Sequence, residues 1–168
     1  AQSSPPPSVD GTVGTASAIA AGGSINVDSG AAIDFAHSCA IQARTGAVVC
    51  WGDNAAGQST PPPSVDGTEG TSSAIAAGWS HSCAIQTGTG AVVCWGYDHY
   101  GVPNPPPSVD GTAGTAASIA SGILHTCAIQ SSSGAVVCWG GNQPGQASPP
   151  PSVDGTLGAA SAVAAGWA

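Results

Sequence analysis

Apolar and polar positions alternate over short runs along this chain, and the runs recur. His81-Ser-Cys-Ala-Ile-Gln86 and Ala91-Val-Val-Cys94 flank the turn Thr87-Gly-Thr-Gly90. Short β-prone segments around such a loop predict a β-hairpin. Pairing Gln86 with Ala91 sets Ile85 opposite Val92, Ala84 opposite Val93 and Cys83 opposite Cys94. Directly opposed residues lie about 4.5–5.5 Å apart at Cβ, a gap that a disulfide bridges with little adjustment. The same register sets Cys39 against Cys50 and Cys127 against Cys138. Three coincidences of one kind predict three disulfide-clipped hairpins.

Before the hairpin, Ser73-Ala-Ile-Ala-Ala-Gly78 predicts a strand of small residues suited to a crowded inner position. Glycine and serine flank it, and it is too short for a stable helix. A further strand is expected after each Trp-Gly, at Gln58-Ser-Thr-Pro-Pro62 and Gln146-Ala-Ser-Pro-Pro150. It must be an edge strand, because proline donates nothing to a ladder. The marker PPPSVDGT begins at Pro5, Pro61, Pro105 and Pro149, a period of 44 residues after a first step longer by 12. The surplus falls at Ile25 to Ala36. A period of this length built of short strands and turns predicts propeller blades or a β-solenoid. The expected fold is all-β, in four-stranded blade repeats, with residues 1–168 forming a single repeat array. Its units run approximately 5–60 (with the insertion 25–36), 61–104, 105–148 and, in part, 149–168. Four copies of the marker but three hairpins make about three and a half blades. Unpaired strands are then expected at both margins, and such edges invite pairing with another chain.

Charge narrows the partners. The chain holds one Lys or Arg, Arg44, against nine carboxylates, for a net charge of −8. That balance argues against nucleic acid and against an anionic membrane surface. No apolar run approaches the ~20 residues of a membrane span, and no signal peptide is visible, so in a secreted protein Ala1 would be a mature or internal start. Six cysteines explained by one repeated pairing predict an oxidising, extracellular location. A zinc site is the alternative, since His81 shares a strand face with Cys83, but each such site would lack a fourth protein ligand. No metal or other cofactor is expected. The apolar share of 42% is largely alanine, so each blade buries little and the disulfides compensate by restricting the unfolded chain.

The residues that bear chemistry mostly recur with the period. His37, His81 and His125 open every hairpin, whereas a catalytic site is one asymmetric constellation, so structural roles are expected. Asp10, Asp66, Asp110 and Asp154 sit in V-D-G-T turns, and one carboxylate per turn is a poor calcium ligand set. Trp51, Trp95 and Trp139 are expected to pack between blades. Trp79 and Trp167 share a variable position, held by Gly23 and Ile123 in other units, which suits an interface. Ile33 and Phe35 lie in the insertion, where an extra strand would cap an edge or dock to a neighbour. Tyr97, Asp98, His99 and Tyr100 form the densest aromatic and polar cluster, a set suited to carbohydrate or to an interface. Nucleophile-elbow, phosphate-loop, metalloprotease and dinucleotide signatures are missing, so no catalytic residues are assigned and no enzyme is expected.

The proline blocks are Ser4, Pro5, Pro6, Pro7 and Ser8; then Thr60, Pro61, Pro62, Pro63 and Ser64. The later two are Pro105, Pro106, Pro107 and Ser108 after Asn104, and Ser148, Pro149, Pro150, Pro151 and Ser152. They predict short polyproline II segments acting as stiff linkers. Their similarity to hydroxyproline-rich extracellular glycoproteins also makes them candidates for O-glycosylation. No N-x-S/T acceptor with a permissive middle residue is present.

Trp51-Gly-Asp-Asn-Ala-Ala-Gly-Gln58 and Trp139-Gly-Gly-Asn-Gln-Pro-Gly-Gln146 share the pattern W-G-x-N-x-x-G-Q. Preceded by A-I-A-A-G, H-S-C-A-I and A-V-V-C, this pattern resembles the regulator-of-chromosome-condensation repeat family, most of all secreted members such as the propeller-shaped β-lactamase inhibitor. The resemblance covers essentially the whole chain and implies a β-propeller. Gly96 to Asn104 departs from it, lacking the asparagine and the glutamine. Exchange-factor activity on a nuclear GTPase does not suit an acidic, disulfide-bearing chain. The expected function is that of an extracellular, non-enzymatic structural repeat protein, O-glycosylated on its proline blocks, associating with copies of itself into a higher-order assembly such as a filament. The competing expectation is a secreted binding module, lectin-like or inhibitor-like, gripping carbohydrate or another protein.

Overall fold

A computed structural model describes residues 4–23 and 36–166. Ile33, Phe35 and Trp167 lie outside the described residues. Among the described residues, nine strands form three sheets. The first sheet holds β1 (Ala16–Gly22), β2 (His37–Gln42) and β3 (Val48–Gly52). In the second are β4 (Ser72–Ala77), β5 (His81–Gln86) and β6 (Val92–Gly96). The third has β7 (Ala116–Ser121), β8 (His125–Gln130) and β9 (Val136–Gly140). Each sheet is an antiparallel meander in chain order. The hairpin register is as the alternation demands, with Cys83 opposite Cys94, Ala84 opposite Val93 and Ile85 opposite Val92, and likewise in the other two sheets.

Every sheet has three strands among the described residues, not the expected four. The segment after Trp-Gly folds into turns, and its prolines offer no N–H to a ladder. A single main-chain bond survives at the place of the fourth strand: Val48 N donates to Val65 O at 2.9 Å, and Val92 to Val109 and Val136 to Val153 do the same. The proline blocks also differ from stiff linkers. Val65 N and Asp66 N both donate to Pro62 O, so the block closes into a turn that seats Val65, fully buried, against its blade. Gly67, at φ +95°, then makes the reversal that a residue with a side chain rarely adopts.

Both faces of a middle strand are buried, because blades stack on either side. Along β5, Cys83 and Ile85 point to the third blade, where they meet Ala128 and Trp139. Ala84 points the other way, into Cys39, Ile41, Val48 and Val65 of the first blade, beside Trp95. Trp95 and Trp139 thus pack between blades as expected. The inner strands β1, β4 and β7 converge at their glycine ends. A Cβ on Gly122 would meet the Gly166 carbonyl oxygen at 2.6 Å and the His125 ring closer still, so only glycine fits there. Alanine and serine elsewhere in these strands permit the same close approach.

Candidate binding face

Each blade is clipped by its disulfide, Cys39–Cys50, Cys83–Cys94 and Cys127–Cys138. Cys39 and Cys83 are fully buried in the seams. The seams carry the recurring polar residues too. His37 Nε2 lies 2.8 Å from Ser82 Oγ of the next blade, and His81 Nε2 lies 3.0 Å from Thr126 Oγ1. Burial pushes the His81 imidazole down to about 4, with the charges of His37 and His125 adding to the effect. Burial lowers His125 as well. His37 and His81 thus join neighbouring blades, His81 in its neutral form. The four V-D-G-T carboxylates are likewise spent locally. Asp66 Oδ1 accepts from Thr68 N at 2.9 Å and Thr68 Oγ1 at 2.6 Å, which lowers its pKa, and the other three turns repeat this.

The loops that follow β3, β6 and β9 gather on one face of the molecule, where shared clefts join neighbouring loops and the units differ in chemistry. In the first loop, Asn54 Oδ1 accepts from Ser59 N at 2.9 Å, and its amide donates to Thr60 Oγ1. The wholly buried Gln58 donates to Asp53 and accepts from Ala56 N. Its main-chain carbonyl receives the Trp95 indole N–H at 2.9 Å and the Ser82 hydroxyl at 3.1 Å. The third loop repeats the asparagine clasp with Asn142, whose Oδ1 accepts from Ala147 N at 2.8 Å.

The second loop departs from that plan. Val102 stands where Gln58 stands in the first, still presenting its carbonyl to Trp139 Nε1 at 2.8 Å. Asp98 replaces the asparagine and is held only by Asn104 Nδ2 at 3.5 Å. Three aromatic rings fill the freed positions. Tyr97 stacks on His99 at 5.5 Å with 10° between planes, and Tyr100 meets His99 edge-on at 4.0 Å. Tyr97 and Tyr100 are 47% and 52% exposed, and with His99 they form one contiguous aromatic patch. Tyr100 has φ +59°, the only non-glycine residue at positive φ among those described.

A cleft lies on each side of this ridge. One of about 320 Å³ is lined by Ala55, Ala56, Trp79, Ser80 and Tyr97. The other, of about 210 Å³, is lined by Tyr100, Leu124, Gly141, Gln143, Pro144 and Gln146. Gln146 Oε1 is buried there without a hydrogen-bond donor. Trp79 also borders a hollow at the inner strand ends, with Gly78, Gly122 and Ile123. The structure thus brings Trp79, Tyr97, Asp98, His99 and Tyr100 to one face. Sequence reasoning missed Leu124, Gln143, Pro144 and Gln146, although a signal existed: the last three stand one period after His99, Tyr100 and Val102, and Leu124 one period after Ser80. Of the candidate glycosylation residues, Ser4, Thr60, Ser148 and Ser152 are exposed and Ser64 and Ser108 half-buried.

Comparison with known proteins agrees with this architecture. A profile of the regulator of chromosome condensation (RCC1) repeat matches residues 73–102. The ectodomain of the Physcomitrella patens receptor kinase CR4 is similar at 26% identity and TM-score 0.60, over 77% of this chain and 31% of that one. The CRINKLY WD40 ectodomain of the Arabidopsis thaliana receptor kinase ACR4 is similar at 26% identity and TM-score 0.54, over 77% of this chain and 39% of its own. Prp20p of Saccharomyces cerevisiae shares the fold at 21% identity and TM-score 0.54, over 78% of this chain and 40% of its own. The chain therefore spans less than half the length of these structures. No curated protein sequence matches it. The chain as a whole therefore has an RCC1-like β-propeller repeat fold, and its second blade carries a segment, residues 73–102, that matches the RCC1 repeat itself.

Proposed function

We propose that the chain is an extracellular, non-enzymatic propeller module that holds a partner on the face built by the loops after β3, β6 and β9. One observation carries this reading. The three loops share a scaffold, yet only the second replaces its clasp with exposed aromatic rings flanked by two clefts. A loop under packing constraint alone has no use for two half-exposed tyrosines, whereas variable loops on a rigid repeat are where binding residues accumulate. Two relatives are receptor ectodomains, and three disulfides suit an oxidising compartment, which together support an extracellular site of action. His37 and His81 are committed to hydrogen bonds between blades, which supports structural roles for the recurring histidines.

Self-assembly is the second reading, and Ile19 favours it. Ile19 is 68% exposed, while its counterparts Ile75 and Ile119 pack between blades. A further blade, from a longer chain or from a second copy, would cover it. O-glycans on the exposed residues of the proline blocks would keep such an assembly soluble. Sedimentation of the purified chain separates the two. Discrete small species are expected for a binding module, and open-ended particles that grow with concentration would overturn that reading in favour of a scaffold.

A further inference from the structure

We propose that the ridge Tyr97–His99–Tyr100, with the clefts on its two sides, binds a neutral oligosaccharide, one sugar ring against each tyrosine. The proposal rests on the reading of this face as the binding surface and names the ligand class.

The shape of the site comes first. At about 320 and 210 Å³ the clefts sit at or below the lower end of the ~300–1,000 Å³ typical of small-molecule pockets. Each has room for a ring-sized group rather than for a folded peptide element. An oligomer of such rings can lie across the ridge and enter both. The C–H groups on a pyranose face carry partial positive charge and lie well against the negative face of an aromatic ring. The ridge presents its rings for this at a backbone cost, since Tyr100 is held at φ +59°.

The polar atoms agree. Gln146 Oε1, buried in the second cleft, needs a donor, and a sugar hydroxyl supplies one. Gln143 beside it and Ser80 in the first cleft both donate and accept. Charge then separates neutral from ionic ligands. Arg44, the sole cation besides the histidines, lies beyond β2 in the hairpin turn at the opposite end of the first blade. No Lys or Arg stands on the aromatic face among the described residues to pair with a uronate or a sulfate, and the net charge of −8 repels both. For a basic ligand the ridge itself offers one carboxylate, Asp98, which already accepts from Asn104, while Asp53 is engaged by Gln58 Nε2; oligolysine is therefore the control for charge-driven binding.

The test is a titration of the full chain, monitored by tryptophan fluorescence and amide NMR, with gluco- and manno-oligosaccharides, oligouronates and oligolysine. Binding of a neutral oligosaccharide is expected, weakened about tenfold in each of Tyr97→Ala and Tyr100→Ala. It should be retained in Tyr97→Phe, which keeps the ring, and in Val13→Ser, a change at the opposite end of the first blade. Far-UV circular dichroism and intact disulfides check that each variant folds. Neutral binding that survives both alanine changes overturns the proposal. If only oligouronate or oligolysine perturbs the Tyr97 and Tyr100 resonances, the ligand class is wrong while the binding face stands. Should no probe perturb them, both the ligand class and the binding face are wrong.

Discussion

His81 shows how a repeated residue is consumed by the fold. Its ring is buried between blades and hydrogen-bonded to Thr126. Its folded pKa of about 4 lies below the ordinary 6.5. The unfolded chain therefore binds more protons between these values, and stability rises with pH across the window. The unfolding free energy from urea titrations should fall on going from pH 7.5 to pH 4.5, by up to roughly 3 kcal/mol, and His81→Gln should flatten that dependence. The Thr-bonded carboxylates add a separate loss that begins only as pH falls below about 3.8. The tryptophans offer a second comparison. Trp95→Phe strips one donor from the Gln58 carbonyl, which keeps Ser82 Oγ, and should cost about 1 kcal/mol. Trp139→Phe leaves the Val102 carbonyl without that donor in a buried seam and should cost more, up to about 3 kcal/mol by chemical denaturation. Such structural roles were legible in the sequence because periodicity argues against a unique site. The partners were not legible, since Ser82 and Thr126 meet their histidines across blades 45 residues apart.

At the scale of the element, the hairpin is the unit that the sequence states best. Alternation and the Thr-Gly turn determine its register, and register determines which cysteines face each other. Replacing Cys83 and Cys94 together with alanine should destabilise the chain by about 3 kcal/mol, read from denaturant unfolding, because the bridge closes a loop of sequence separation 11. The edge of the blade was misread for a physical reason. Proline composition announced a strand that cannot donate, but the block closes on its own Pro62 carbonyl and keeps just one ladder bond, Val48 N to Val65 O. Likewise Tyr97–Tyr100 was legible as an unusual cluster, whereas the clefts beside it were not. They need Ala55 and Ala56 from one loop and Leu124 and Gln146 from others.

On the scale of the whole molecule, the blades cohere through alternating seams in which a disulfide and an isoleucine of one blade meet an alanine and a tryptophan of the next. Alanine-rich inner strands bring the blades together at their glycine ends, so stability is shared between neighbours and each blade depends on those beside it. The same rigid stack sets the three loops of the aromatic face at fixed offsets, and the proposed recognition relies on this. Because every seam has a bridge on one side, the whole account stands on the cysteine pairing. Peptide mapping of the native protein, alkylated before and after reduction, tests it most directly. The account predicts no alkylation before reduction and bridges Cys39–Cys50, Cys83–Cys94 and Cys127–Cys138 alone. Free thiols in the folded chain, or a bridge joining cysteines of different blades, would contradict it.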